Sequence, residues 1–189
     1  MAIATTEFTR HETDIPGLMV FDVTSVGDER GYFQEKFQKQ KLVAAGFPES
    51  FNIVQNSLSY NKEPGVTRGF HAEPWDKYIS VVTGKVFSAY VDLRAGDGFG
   101  TVVTVEITPH IAVLLPQGVA NSFQTLEPDT YYLYSVNAHW DADNYDKYSF
   151  VNLDDPTLNV QWPINLDDAI VSDRDRNHPL LSDVAPVEV

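Results

Sequence analysis

The sequence predicts an all-β fold, a jelly-roll sandwich or barrel with one short helix and a C-terminal tail wrapped around the outside. Three observations carry this. Short segments rich in β-branched and aromatic residues recur at roughly ten-residue spacing. Each is bounded by Gly, Pro, Asp or Asn. Only one stretch reads as a helix, and it is brief.

The predicted strands, in order, are 17–23 (GLMVFDV), 32–37 (YFQEKF), 77–84 (KYISVVTG), 85–94 (KVFSAYVDLR), 99–108 (FGTVVTVEIT), 111–116 (IAVLLP), 121–126 (NSFQTL) and 130–137 (TYYLYSVN). Residues 65–71 also alternate like a strand. Explicit turns separate them: Thr83-Gly84, AGDG at 95–98, Pro109-His110, PQG at 116–118 and EPD at 127–129. The helix is expected over 38–46, with Gly46 as its stop. Beyond about residue 150 the chain is turn-rich, with DDP, WP and DRDRNHP. No repeat or linker divides the 189 residues, so one domain over 1–189 is expected, its jelly-roll core at about 50–140.

Composition narrows the function. Hydrophobic residues at 43% and aromatics at 12% mark a folding chain rather than a disordered one. There is no run long and apolar enough to span a bilayer, and the N-terminus lacks a signal-peptide core. With no cysteine, disulfides and thiolate metal sites are excluded, and a cytoplasmic location is expected. Thirteen basic against 27 acidic residues give a net charge of −14, which argues against nucleic-acid and anionic-membrane partners. An anionic small molecule would need a local concentration of the few cations. Their positions therefore carry information.

Five histidines occur, and a lone histidine is usually structural. His71 stands out because Arg68 precedes it on the same predicted strand and Lys77 opens the next, which makes an anion site containing a base. The competing reading is a cupin metal centre, since jelly-roll barrels often hold one. That chemistry needs a His-x-His pair, a Glu and a later His around one ion. Here His71-Ala72-Glu73 offers one imidazole and 119–123 offers none, so no metal is expected. Three further clusters are ambiguous in isolation. Arg30 and Glu35, within 28–35, describe either a polar ligand site or an exposed turn. In 131–140, Tyr132, Tyr134 and Val136 share one strand face, which ordinarily means packing. Ser172-Asp173-Arg174-Asp175 reads equally as a surface turn.

Taken in order, these clusters resemble the dTDP-4-dehydrorhamnose 3,5-epimerase family. The matching signature is Asp-x-Arg-Gly-x-Phe-x-Glu, then Gly-Val-x-Arg-Gly-x-His with a following Lys. Val91-Asp92-Leu93-Arg94, Leu-Pro-x-Gly-Val-Ala at 115–120, the tyrosine strand, Asp155-Pro156, Gln161-Trp162-Pro163 and Ser-Asp-Arg-Asp complete it. The set spans roughly 15–182, and HAEPWDKYISV, PQGVANSFQ and NHPLL resemble a streptococcal-type subgroup.

The resemblance implies a cofactor-independent epimerase acting on a dTDP-4-keto-6-deoxyhexose. It implies His71 as general base, Asp175 as its orienting carboxylate, Tyr134 as general acid and Lys77 as the cation for the C4 oxygen. Arg68 and Lys77 are implied near sugar and pyrophosphate oxygens, Gln55 and Ser57 as substrate contacts, Trp140 against the thymine, and Arg174 beside the dyad. Arg30 and Glu35 are implied at the nucleotide end, contributed by the partner of a homodimer. Two departures stand out. Asn121 replaces a family histidine and Tyr148 a glutamate, while an extra residue before Gly65 blurs the register of 55–59. The chemistry suits the residues. Inversion beside a ketone needs a proton removed from one face and another delivered to the other, with no net redox. The same motifs would serve a monofunctional 3- or 5-epimerase, or a non-catalytic sugar-nucleotide-binding domain.

Overall fold

The structure is a computed structural model that describes residues 5–189. Fourteen strands appear among them: β1 Phe8–Glu12, β2 Met19–Val23, β3 Val26–Asp28, β4 Gly31–Phe33, β5 Gln55–Asn61, β6 Val66–Ala72, β7 Lys77–Thr83, β8 Val86–Asp92, β9 Val102–Ile107, β10 Ile111–Leu115, β11 Val119–Thr125, β12 Thr130–Val136, β13 Ser149–Val151 and β14 Ile170–Val171. Two short helices join them, α1 Lys39–Ala44 and α2 Asp173–Arg176. One six-stranded sheet runs β1-β2-β10-β7-β12-β5. A second runs β13-β6-β11-β8-β9, with β14 also on β6, and β3-β4 form a separate hairpin.

The two sheets face each other across a core that both supply. Ile79, Val81, Val113, Leu115 and Tyr132 come from the first; Val86, Tyr90, Ile107, Val119 and Phe123 come from the second. Several strands are buried on both faces over much of their length, which explains why IAVLL reads as a continuous apolar run. Tyr78, Ala112 and Leu114 point outward, under Leu42 of α1 together with Phe21, Phe47 and Phe51. On the far side, Phe70, Ala89, Val91 and Ala120 of the second sheet are covered by Val151, Leu153 and Leu158, with Trp162, Leu166 and Leu181 against them. The tail therefore wraps the outside, as the sequence predicts, and supplies a third layer.

The differences from the predicted elements have local causes. Strands β1, β2, β13 and β14 carry the sheets beyond 50–140 at both ends. The predicted strand 32–37 stops at Phe33. From there side chains fix the backbone: Gln34 donates to the Val23 carbonyl, and the Lys36 ammonium donates to the carbonyls of Val81 and Pro109. Strand β9 begins at Val102 rather than 99, because Phe99 and Thr101 are tied into turns closing on Gly96 and Gly98. Helix α1 is shorter than 38–46. Gln38 caps it, and Gly46 follows its end at φ +96, a conformation that favours glycine.

Gln124 fastens the tail to the second sheet. Its buried amide donates to the Ile164 carbonyl and accepts from the Ile164 N–H, acting as one more strand rung, and also donates to Thr67. Gln124→Met keeps the volume but strands two backbone groups in an apolar layer. We expect a loss of about 2–4 kcal/mol in urea unfolding, from two unsatisfied groups. Limited proteolysis should show faster cutting between residues 157 and 170. An unchanged cleavage pattern would mean that the tail is held by its apolar contacts alone.

Candidate active site

Strand β6 carries the arginine and the histidine, and an irregularity in its pairing puts them together. In a regular strand, residues three apart lie on opposite faces. Here Asn121 pairs with His71 but Phe123 pairs with Arg68, so two steps on β11 oppose three on β6. This bulge turns Phe70 outward into the third layer while Arg68 and His71 both line a cavity between the sheets. That cavity, of about 210 Å³, is bounded by Arg68, His71, Glu73, Lys77, Asn121 and Tyr134, with Phe123 and Tyr132 on its floor. It opens into a wider cleft of about 490 Å³ bounded by Gln55, Ser57, Trp75, Trp140, Tyr145 and Tyr148. His71, Glu73 and Tyr134 line both.

His71 meets Asp175, 104 residues later, with Nε2 and Oδ1 3.1 Å apart. Ser172 caps α2 by accepting from the Asp175 N–H, so the helix begins with Asp175 turned onto β6. Gly69 makes the approach possible, since a Cβ there would lie 2.6 Å from Asp175 Oδ1. The glycine of the Arg-Gly-x-His motif is thus space left for a carboxylate. Burial pushes the Asp175 carboxyl up, but hydrogen bonds from the His71 ring and the Gly69 N–H outweigh it, and the value falls to about 2. An ionised Asp175 accepts the Nε2 proton, which leaves the Nδ1 lone pair of His71 as the available base.

Across the cavity, Tyr134 and Lys77 belong to the opposite sheet, on β12 and β7. Burial raises the Tyr134 pKa, the Glu73 charge adds to the effect, and Ser57 and Arg68 partly offset it. The phenol is thereby kept protonated. Lys77 is only 5% exposed; its ammonium contacts Glu73 and donates to Asn121 Oδ1 at 2.7 Å. The lysine is thus held rigidly with one of three donors left over. Its place is fixed from beneath by Asp76, which accepts from the Gln117 N–H and from Asn137.

The ambiguous register of 55–59 resolves by alternation. Gln55 and Ser57 face the wider cleft and Ser59 the narrower cavity, whereas Asn56 points away and accepts from Ser135. Gln55 also accepts from the Trp140 N–H, seating that exposed indole on the cleft rim. Arg68 reaches Ser59 and Asn61 through contacts of 3.4 and 3.3 Å. Arg174 lies over the Tyr145 ring, 4.3 Å from its centre. Two predicted residues are not brought in: Arg30 pairs with Asp28 on the exposed β3-β4 hairpin, and Glu35 pairs with Lys41 and Thr6.

Glu73 and His178 were missed by sequence reasoning. The first was legible by alternation, being two residues beyond His71 on the same face. The second had no local signal. Asn152 accepts the tail by donating to the carbonyls of Arg176 and His178, which brings the His178 ring to 5.5 Å from His71 and 4.8 Å from Phe150. Burial and the neighbouring His71 lower its pKa. His71, Asp175 and His178 converge, a grouping outside the cupin pattern, with ligand atoms all within 4.8 Å.

The profile of the dTDP-4-dehydrorhamnose 3,5-epimerase family matches residues 12–183. The chain belongs to that family. A protein RmlC homolog of Streptococcus pyogenes is 49% identical, with 95% of this chain and 92% of the relative covered. RmlC of Streptococcus suis, solved in complex with dTDP-D-xylose, superposes with a TM-score of 0.90 at 45% identity, covering 96% of this chain and 95% of that one. A mutant of ChmJ, a 3'-monoepimerase of Streptomyces bikiniensis solved with dTDP, gives a TM-score of 0.81 at 27% identity, covering 91% and 87%. The jelly-roll fold, read first from strand spacing, and the epimerase identity, read from the ordered motifs, are thus established. Among the described residues, no helix is long and apolar enough to cross a membrane.

The low folded-state value of Asp175 has a definite sign in acid. The unfolded chain, with a carboxyl near 3.8, takes up the proton before the folded one does. The contribution of Asp175 is present above pH 3.8 and lost between 3.8 and about 2. The urea midpoint of wild type should therefore fall further between pH 4.5 and 2.5 than that of Asp175→Asn, the other carboxylates being common to both. Equal falls would disprove the pairing.

Proposed function

We propose that this chain inverts both C3 and C5 of dTDP-4-dehydro-6-deoxy-D-glucose, giving dTDP-4-dehydro-L-rhamnose. The observation that carries the reading is the origin of the two proton carriers. His71 stands on one sheet and Tyr134 on the other, so a sugar ring between them meets a base on one face and an acid on the other. His71 Nδ1 takes the proton from the carbon beside the C4 ketone, and the C–H electron pair moves onto the C4 oxygen as an enolate. The free donor of Lys77 stabilises that charge in a site whose dipoles are already set. Tyr134 then delivers its proton to the opposite face. The carbon inverts, and His71 ends with one proton gained and Tyr134 with one lost. Both reset through solvent at the open rim before the second carbon reacts.

The roles of the remaining residues follow the cleft outward. Arg68 faces the sugar end with Asn121, and Gln55 and Ser57 line the path to the rim. Trp140 offers an aromatic surface to the thymine, and Arg174 a cation for the pyrophosphate. Restriction to a single carbon is the second reading, favoured by the likeness to a 3'-monoepimerase. A purely binding role is disfavoured by the presence of His71, Asp175 and Tyr134 together. We place the reaction in the cytoplasm.

We also propose a homodimer in which the β3-β4 hairpin of one copy carries Arg30 to the site of the other, Glu35 anchoring its base. Supporting this, Tyr32 and Phe33 on that hairpin are 58% and 66% exposed. Edge strand β5 likewise exposes Leu58 and Tyr60. Light scattering should return the mass of two chains. A fully active single chain would remove the idea.

The reaction is tested by following dTDP-4-keto-6-deoxyglucose in heavy water by proton NMR. Wild type should place deuterium at C3 and C5, while deuterium at one carbon would select the monofunctional reading. In Tyr134→Phe the enolate still forms, so exchange with retention should outlive inversion, which falls roughly 100- to 10,000-fold. His71→Ala should lose both. If Tyr134→Phe inverts at the wild-type rate, the tyrosine is packing and the acid lies elsewhere.

A further inference from the structure

His178 poses a problem that the epimerase reaction does not solve. Its side chain is 7% exposed, and neither ring nitrogen has a well-formed hydrogen bond among the described residues, the backbone of Val151 being its one loose polar neighbour besides Asp175. Buried polar groups almost always find one, because losing water without replacement costs about 1–3 kcal/mol each. Asp175 Oδ1 lies 3.8 Å from Nε2, outside hydrogen-bond range. Oδ1 also lies 3.1 Å from His71 Nε2. A tetrahedral zinc ion with bonds of about 2.0–2.2 Å holds neighbouring ligand atoms roughly 3.3–3.4 Å apart, a spacing that these two distances bracket.

We propose that His71 Nε2, Asp175 Oδ1 and His178 Nε2 form an inhibitory site for a zinc-type divalent cation. Two imidazoles and one carboxylate suit a borderline-soft ion, with water completing the shell from the cavity side. Entry is open, because the His71 side chain is 34% exposed and lines both parts of the cleft. Arg174 opposes a dication but is engaged over Tyr145, so binding should be weaker than in a closed structural zinc site.

Inhibition follows from the tautomer. In the free enzyme the His71 ring proton sits on Nε2, facing Asp175. A metal ion takes the Nε2 lone pair, and the ring proton then resides on Nδ1. The lone pair that removes the substrate proton is thereby covered without the ion touching the sugar. The inhibition rests on His71 being the base; the binding does not.

Zinc chloride itself is the probe, titrated by calorimetry into the full chain at pH 7.5 and located by anomalous diffraction. Wild type should bind one zinc per chain at this site, and His178→Phe should bind at least tenfold more weakly. His178→Gln, closer in polarity, gives the same comparison if the phenylalanine variant folds poorly. Each protein's deuterium-exchange rate, relative to its own zinc-free rate, should be zinc-sensitive in wild type and relieved by EDTA, but at least tenfold less sensitive in the variants. Absence of binding, equal binding by wild type and variants, or anomalous density away from His178 overturns the site. Zinc bound there without inhibition upholds the site and instead defeats His71 as the base.

Discussion

Docking of the tail on the second sheet governs the site, because the contact at its centre is electrostatic and tight. Gly69 leaves a gap on β6 that a carboxylate fills, and that carboxylate gains a backbone N–H and the His71 ring in exchange for water. Without Asp175 the imidazole has no fixed tautomer; without the gap, Asp175 would remain a solvated residue on a surface turn. The surrounding contacts of Gln124 with Ile164, and of Asn152 with the backbone near His178, hold a four-residue helix that could not persist by itself.

Charge is distributed by the same economy. A chain with a net charge of −14 keeps Arg68 and Lys77 in one cavity and Arg174 over Tyr145, a ring of the adjoining cleft. Lys77 is tolerated in a nearly dry position because Glu73 neutralises it and Asn121 accepts a hydrogen bond from its ammonium. Glu73 also contributes to keeping Tyr134 protonated. One carboxylate from the loop after β6 therefore serves two groups of the opposite sheet, Lys77 on β7 and Tyr134 on β12. The proposed enolate-forming site can thus hold an acidic residue in its wall.

The strands that bury both faces were legible, because uninterrupted apolar runs such as IAVLL have few other uses. Their ends were less so, since the stretches near 34–37 and 96–101 are shaped by side-chain hydrogen bonds and turns that no periodicity records. At the site, His71 and Lys77 announced themselves by proximity in sequence. Tyr134 and Asp175 did not, and only the family resemblance gave them roles. Arg68 lay beside His71 for a reason alternation would deny, the bulge on β6. His178 was out of reach, being carried in by hydrogen bonds of the backbone that any residue could have accepted.

The floor of the narrow cavity is the stacked pair Phe123 and Tyr132, 4.1 Å between ring centres, one from each sheet. The same two rings belong to the inter-sheet core. On the proposed mechanism, the packing that holds the sandwich closed would also set the depth of the sugar. How far a ring sinks would then decide which carbon stands level with the imidazole and which with the phenol. Regiochemistry in such a protein can drift through substitutions that look like ordinary changes of core volume, with every proton-carrying residue left in place.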